Sequence, residues 1–215
     1  MTRLILARHG QTASNIDRVL DSAPPGPALT WLGRAQAAAL GERLAVERID
    51  AVHASVAIRA RETAEAVAAP HGLEVQVVAG VQEVFCGDLE GRADEDAREQ
   101  FEAVYQAWLA GDLDAHLPGG ESAQDLRARF LPAVERVTAG VAGTVVLASH
   151  GAAIRLAAGA LLGENAETQY VPNTGLVILA GSPATGWTLE HWDTATPVVG
   201  DVTACLLYTS PSPRD

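Results

Sequence analysis

Two short apolar runs, Leu4-Ile5-Leu6-Ala7 and Val145-Val146-Leu147-Ala148, are each followed, one residue on, by a His-Gly pair. Neither run alternates between apolar and polar residues, which marks a strand covered on both faces of its sheet. Such strands belong to parallel sheets with helices on each side, and ligands bind at the carboxyl edge of those sheets. His9 and His150 therefore fall on the edge where chemistry is expected. Arg8, directly before His9, makes the expected ligand an anion, most simply a phosphate, because a guanidinium presents paired donors.

The segments between the runs fit this architecture. Thr30 is a suitable N-cap for a helix over 31–47, with Leu32, Ala35, Gln36, Ala39, Leu40 and Leu44 on one face. A strand is expected over 49–54, and Ser55 is expected to open a helix that Pro70 and Gly72 end. Strand 74–78, helices over 92–110, 121–138 and 152–162, and a closing hairpin over 175–180 and 188–192 complete the pattern. The expected fold class is α/β: a three-layer α/β/α sandwich with a mostly parallel central sheet. One domain is expected over residues 1–194, with a small helical cap segment at about 92–118. Residues 195–215 show neither period and carry Pro211 and Pro213, so they read as a tail that is disordered or foreign to the natural protein.

Composition excludes several classes of partner. With 48% hydrophobic residues in 215, the chain can bury a large core. Its net charge of −12 argues against nucleic acid and against an anionic membrane surface. The apolar run before Arg8 has only four residues, too few for a secretory core, and Cys86 and Cys205 form no framework, so a cytoplasmic location is expected. Neither the cysteines nor the histidines show metal-ligand spacing; no metal and no other cofactor is expected. Nothing in the pattern sets an oligomeric state.

Polar residues gather after each strand. Arg8, His9, Gly10, Gln11, Thr12 and Asn15 follow the first, Ser55, Arg59, Arg61 and Glu62 the second, Glu83 the third, and Ser149, His150 and Gly151 the fourth. Phosphoryl transfer through histidine needs these types. A neutral imidazole attacks phosphorus in line, its other nitrogen held by a hydrogen bond. Guanidinium groups and a second histidine neutralise the equatorial oxygens. A carboxylic acid protonates the leaving oxygen and then activates water.

The blocks Arg8-His9-Gly10-Gln11-Thr12 with Asn15, Ser55 to Ala64, Glu83 with Gly87-Asp88-Leu89-Glu90-Gly91, Gly119-Gly120-Glu121-Ser122 and Ser149-His150-Gly151 resemble, in order, the motifs of the histidine phosphatase superfamily, the phosphoglycerate mutase-like proteins. The resemblance implies a nucleophile at His9 and a general acid at Glu83. It implies a phosphate pocket of Arg8, Arg59 and His150, with contributions from Asn15, the Thr12 hydroxyl and Gly151. The loop Ser22-Ala23-Pro24-Pro25-Gly26-Pro27 departs from the family's usual Gly and Asp before the second helix.

The resemblance implies a phosphomonoesterase on a small phosphorylated metabolite, with a mutase second and an idle binding module of the same fold a more distant third. Segment 92–118 sets Arg92 and Arg98 against Asp94, Glu95, Asp96, Glu99, Glu102, Asp112 and Asp114, so its wall is expected to offer little positive charge and to favour a neutral or sugar-like leaving group. Phe101, Tyr105 and Trp108 share a helical face that is expected to anchor the cap to the core. His116 is a loop residue near the expected cleft, and Arg155 and Asn173 are candidates for its rim. Arg61 lies two residues beyond Arg59 and points elsewhere on a helix. Arg59→Ala is therefore expected to lower kcat/KM by about 100-fold or more, and Arg61→Ala to be mild. Equal losses in the two variants would contradict this helix phase.

Overall fold

Six strands form one sheet: β1 (Thr2–Arg8), β2 (Ala51–Ala54), β3 (Val75–Val77), β4 (Thr144–Ser149), β5 (Leu176–Ser182) and β6 (Gly186–Trp192), in the order β3-β2-β4-β1-β5-β6. The computed structural model describes residues 1–163 and 166–195, so the tail expected from 195, with Cys205, lies outside the described residues from 196 on. Strands β1, β4, β2 and β3 run parallel, and β5 and β6 add antiparallel to the β1 side.

The described residues also form six α-helices: α1 (Ala13–Asp17), α2 (Trp31–Leu44), α3 (Ile58–Ala68), α4 (Glu95–Leu109), α5 (Ala123–Thr138) and α6 (Gly151–Leu162). Leu4, Leu6, Val145 and Leu147 pack in one core with residues of α5 and α6. Ile5, Ala7, Val146 and Ala148 pack in a second core with α2 and α3. The unbroken apolar runs thus have the physical cause expected of them: successive residues face different hydrophobic cores. The three-layer expectation holds. Among the described residues no helix is long and apolar enough to cross a membrane.

Local expectations shift in three places. The stretch after β1 contains α1, started by a capping box in which Thr12 and Asn15 exchange hydrogen bonds. The face buried by α2 is Gly33, Gln36, Ala37, Leu40, Gly41 and Leu44, turned by about one residue from the expected one. The cause is glycine: Gly33 and Gly41 let the helix lie directly on backbone, and a Cβ on Gly33 would fall 2.0 Å from the Gln11 carbonyl oxygen. Ser55 does not cap α3, whose N-cap is Ala57 without a side-chain bond.

The chain leaving β1 is held on every side. His9 N–H donates to the Ser149 carbonyl at 3.0 Å, Gly10 N–H to Thr63 Oγ1 at 3.0 Å, and Gln11 N–H to Gln36 Oε1 at 2.8 Å. This explains a buried Gln on the apolar face of α2. Gly33→Ala is expected to destabilise the fold by about 1–3 kcal/mol, read as a lower denaturation midpoint. Unchanged stability would mean that α2 does not approach the Gln11 backbone this closely.

Candidate active site

In the parallel pairing of β1 with β4, Arg8 stands opposite Ser149, so His9 and His150 leave adjacent strands side by side. Their ring centroids are 5.2 Å apart. His9 Nδ1 lies 2.7 Å from the Gly10 carbonyl. A carbonyl only accepts, so Nδ1 carries the proton and Nε2 keeps its lone pair. His150 Nε2 lies 2.9 Å from Ser55 Oγ. A hydroxyl donating there leaves the other nitrogen, Nδ1, as the proton-bearing one. Ser55 Oγ thus serves His150, and it also accepts the Ala57 N–H at 3.4 Å just before α3.

Both rings are neutral. Burial, followed by the charges of Arg8 and Arg59, holds His9 well below the ordinary value of 6.5, against an opposing pull from the Gly10 carbonyl. Burial, followed by Arg59, His9 and Arg8, does the same to His150. Cys86, which shares a cavity wall with His9, is pushed up to about 12 by burial and stays a neutral thiol at neutral pH.

A cavity of about 190 Å³ is lined by Arg8, His9, Asn15, Asp21, Arg59 and Glu83, with Val19, Leu20, Ser22, Cys86 and Phe101 completing its wall. Arg59 is 2% exposed on the first turn of α3; Arg61 is exposed. Arg59 Nη2 donates to the Asp21 carbonyl at 3.0 Å, and the Asp21 carboxylate stands 3.7 Å from Nη1. Three buried nitrogens here have no hydrogen-bond partner: Arg8 Nε and Arg59 Nη1 on two residues of the cavity wall, and Nδ1 of His150, which packs against His9 without lining the cavity itself. Buried unpaired donors cost about 1–3 kcal/mol each, more when charged, and an anion placed among them removes that cost.

Glu83 reaches the cavity from the loop after β3. Its carboxylate accepts N–H groups of Val84 at 3.0 Å, Ala153 at 2.8 Å and Ala152 at 3.2 Å, which fixes it at the start of α6. Arg129 of α5 clamps that loop through the carbonyls of Gly80, Gln82 and Glu83, while its ion pair with Glu121 holds it at 2.7 Å. Gly151 opens α6, where a Cβ would stand 3.1 Å from Arg8 Nε. Asn15 reaches the cavity wall and Thr12 does not; Thr12 is buried, and its Oγ1 caps α1. Asn173 Nδ2 donates to the His9 carbonyl at 3.0 Å and to Asn15 Oδ1 at 3.2 Å, so its turn also braces the site.

Two outer cavities continue from Arg8. One, of about 370 Å³, is lined by Arg18, Arg98, Phe101, Glu102 and Tyr170 among others; the second, of about 270 Å³, by Phe101, Glu102, Tyr105, Arg155 and Tyr170. The expectation of a cleft wall poor in positive charge is overturned. Of the acidic cap residues only Glu102 lines these cavities, and Arg92 ties up Asp94 and Asp96 on the outside. The cap aromatics divide their work: Trp108 is buried as an anchor, while Phe101 and Tyr105 wall the cleft. Arg155 reaches the rim; His116 lines none of these three cavities.

Sequence reasoning missed Asp21 as a partner of Arg59, Arg129 as the clamp and Tyr170 as a wall. Asp21 precedes the unusual Pro/Gly loop, which Glu90 grips through the backbone N–H groups of Ser22 and Ala23 and the Ser22 hydroxyl.

An α/β sheet with paired buried histidines, and with one buried and one half-buried guanidinium at its carboxyl edge, defines an anion-handling enzyme class. The chain belongs to the histidine phosphatase superfamily (branch 1), whose family model matches residues 4–195. It is 32% identical to the PE-PGRS family protein PE_PGRS11 of Mycobacterium tuberculosis over 86% of this chain, which spans only 35% of that protein. It is 30% identical to phosphoglycerate mutase-like protein 4 of Arabidopsis thaliana, over 88% of this chain and 84% of that one. Among solved structures it is similar to a mycobacterial glucosyl-3-phosphoglycerate phosphatase, with a TM-score of 0.77 and 28% identity over 91% of this chain and 99% of that one. The resemblance read from the motifs holds, and a phosphatase and a mutase-like protein both stand among the relatives.

Burial of neutral histidines has a definite sign for stability. Unfolded, both protonate near 6.5; folded, both resist. The unfolded chain therefore binds more protons as pH falls below 6.5, and each ring removes about 1.4 kcal/mol of stability per pH unit until its folded value is reached. In an NMR titration both imidazoles are expected to remain neutral at about pH 6. A midpoint at or above the ordinary value for either ring would contradict the burial argument.

Proposed function

We propose that the chain is a metal-independent phosphomonoesterase that works through a phosphohistidine at His9 on a small phosphorylated metabolite. The observation that carries the reading is the set of buried nitrogens without a hydrogen-bond partner, Arg8 Nε, Arg59 Nη1 and His150 Nδ1, on two residues that share a cavity wall with His9 and one whose ring packs 5.2 Å from its ring.

His9 Nε2 attacks phosphorus as the bond to the leaving oxygen breaks, and Glu83 gives that oxygen a proton. Glu83, now ionised, takes a proton from water; the resulting hydroxide attacks phosphorus, the N–P bond breaks, and phosphate leaves with His9 restored. Arg8, Arg59 and His150 hold the equatorial oxygens throughout. A mutase must keep water from the phosphoryl group. Here the cavities above His9 open through residues as exposed as Tyr170 and Glu102, which favours hydrolysis. One observation favours the mutase as a second reading: Arg18, Arg98 and Arg155 could receive a further anionic group. The reducing cytoplasm is the proposed compartment, in keeping with the free, buried Cys86.

A chromogenic phosphomonoester is expected to be hydrolysed in the presence of EDTA and to be protected by vanadate, which adopts the five-coordinate geometry of in-line attack. Loss of turnover on chelation, restored by a divalent ion, would contradict the mechanism. Conversion of 3-phosphoglycerate to 2-phosphoglycerate without release of phosphate would replace the phosphatase by the mutase.

A further inference from the structure

Arg8 is held differently from most of the chain's anchored arginines. Arg3 pairs with Glu47 and Glu190, Arg43 with Asp193, Arg92 with Asp94 and Asp96, and Arg129 with Glu121. Each of those carboxylates fixes a guanidinium and also cancels its charge. Among the described residues no carboxylate lies within ion-pair distance of Arg8. Its Nη1 donates to Tyr170 Oη at 2.7 Å and to the Val171 carbonyl at 2.8 Å. Its Cζ stands 5.4 Å from the centroid of the Tyr170 ring. A phenol and a carbonyl orient the cation without neutralising it, and the ring face adds an attraction that carries no net charge.

Tyr170 is 62% exposed, so little of its ring is held by packing, and its hydroxyl and ring contacts are with Arg8. The backbone that carries it is fixed at both ends. Val171 is buried, and Arg155 donates through Nε to Thr168 Oγ1 at 3.1 Å and through Nη2 to the Thr168 carbonyl at 3.0 Å. Gly151 leaves the room that Arg8 Nε occupies.

We propose that Tyr170 is a positioning residue for phosphoryl transfer: its hydroxyl and ring fix the Arg8 guanidinium, so that Nε and the full charge remain for the substrate phosphate. The inference rests on the phosphate-binding role read for Arg8 above. It assigns a purpose to an exposed tyrosine that no motif marks. It also separates two roles that both put Tyr170 in the cleft. A residue that positions Arg8 alters affinity for the phosphate group whatever the leaving group is. A residue that only walls the cleft alters affinity for the leaving group.

The test compares wild type, Tyr170→Phe, Tyr170→Leu and Arg8→Ala on an aryl phosphate and on glycerol phosphate, with inhibition by inorganic phosphate measured for each. Tyr170→Phe keeps the ring and loses the hydroxyl, and is expected to raise KM and the phosphate inhibition constant about fivefold. Tyr170→Leu loses both contacts and is expected to raise them about 20-fold. Both factors are the same for the two substrates, kcat changes by about twofold or less, and Tm is unchanged because the ring is exposed. Arg8→Ala is expected to lose about 100-fold or more in kcat/KM. Wild-type phosphate inhibition in both Tyr170 variants, with Arg8→Ala crippled, would overturn the inference and leave the reading of Arg8 intact. So would losses that differ between the two substrates while phosphate inhibition stays constant. An Arg8→Ala enzyme with wild-type activity would overturn the role of Arg8 itself.

Discussion

The parallel pairing of β1 with β4, with Arg8 opposite Ser149, is the constraint on which the rest depends. It places two histidines from segments about 140 residues apart on neighbouring strand ends. A slip of one residue in either strand would turn its alternate side chains to the opposite core. The two cores leave no room for that, because Leu4, Ile5, Leu6 and Ala7 are all fully buried and divide between them. The register is therefore set by packing far from the chemistry. The site inherits its precision from the sheet, and the Gly10–Gly33 approach and the bonds from Thr63 and Gln36 transmit it to the His9 backbone.

Burial then does electrostatic work. It keeps both imidazoles neutral at physiological pH, with the Nε2 lone pair of His9 left free by the bond from Nδ1 to the Gly10 carbonyl. It also leaves donors of Arg8, Arg59 and His150 without partners in a chain of net charge −12. Carboxylates were available to satisfy them. Instead Arg59 has Asp21 only at 3.7 Å, and Arg8 is held by neutral groups. A site with its own counter-ions in place would be more stable and would bind phosphate poorly. The unsatisfied donors are a local cost of stability that an anion placed among them would offset.

What the sequence made legible follows from the range of each signal. Strands covered on both faces announce themselves within four residues, and their ends carry His9 and His150 directly. The helical phase that separates buried Arg59 from exposed Arg61 is equally local. Serine favours helix starts, which makes Ser55 an expected one; its hydroxyl bonds a histidine 95 positions away. Asp21, Arg129 and Tyr170 act through contacts separated by 38, 46 and 162 positions, and no period or spacing encodes such pairs. The acidic cap misled for a related reason. Composition counts charges, whereas the fold decides which side of α4 they occupy, and most of them face away from the cleft.

The account stands or falls on a covalent intermediate at His9. Mixing the enzyme with a phosphomonoester, quenching under alkaline conditions within a turnover and mapping peptides by mass spectrometry tests it most directly. One acid-labile phosphoryl group on the peptide that contains His9, absent from His9→Ala, is the result the account predicts. Phosphate release at an undiminished rate by His9→Ala, or a phosphoryl group on any other residue, would contradict it.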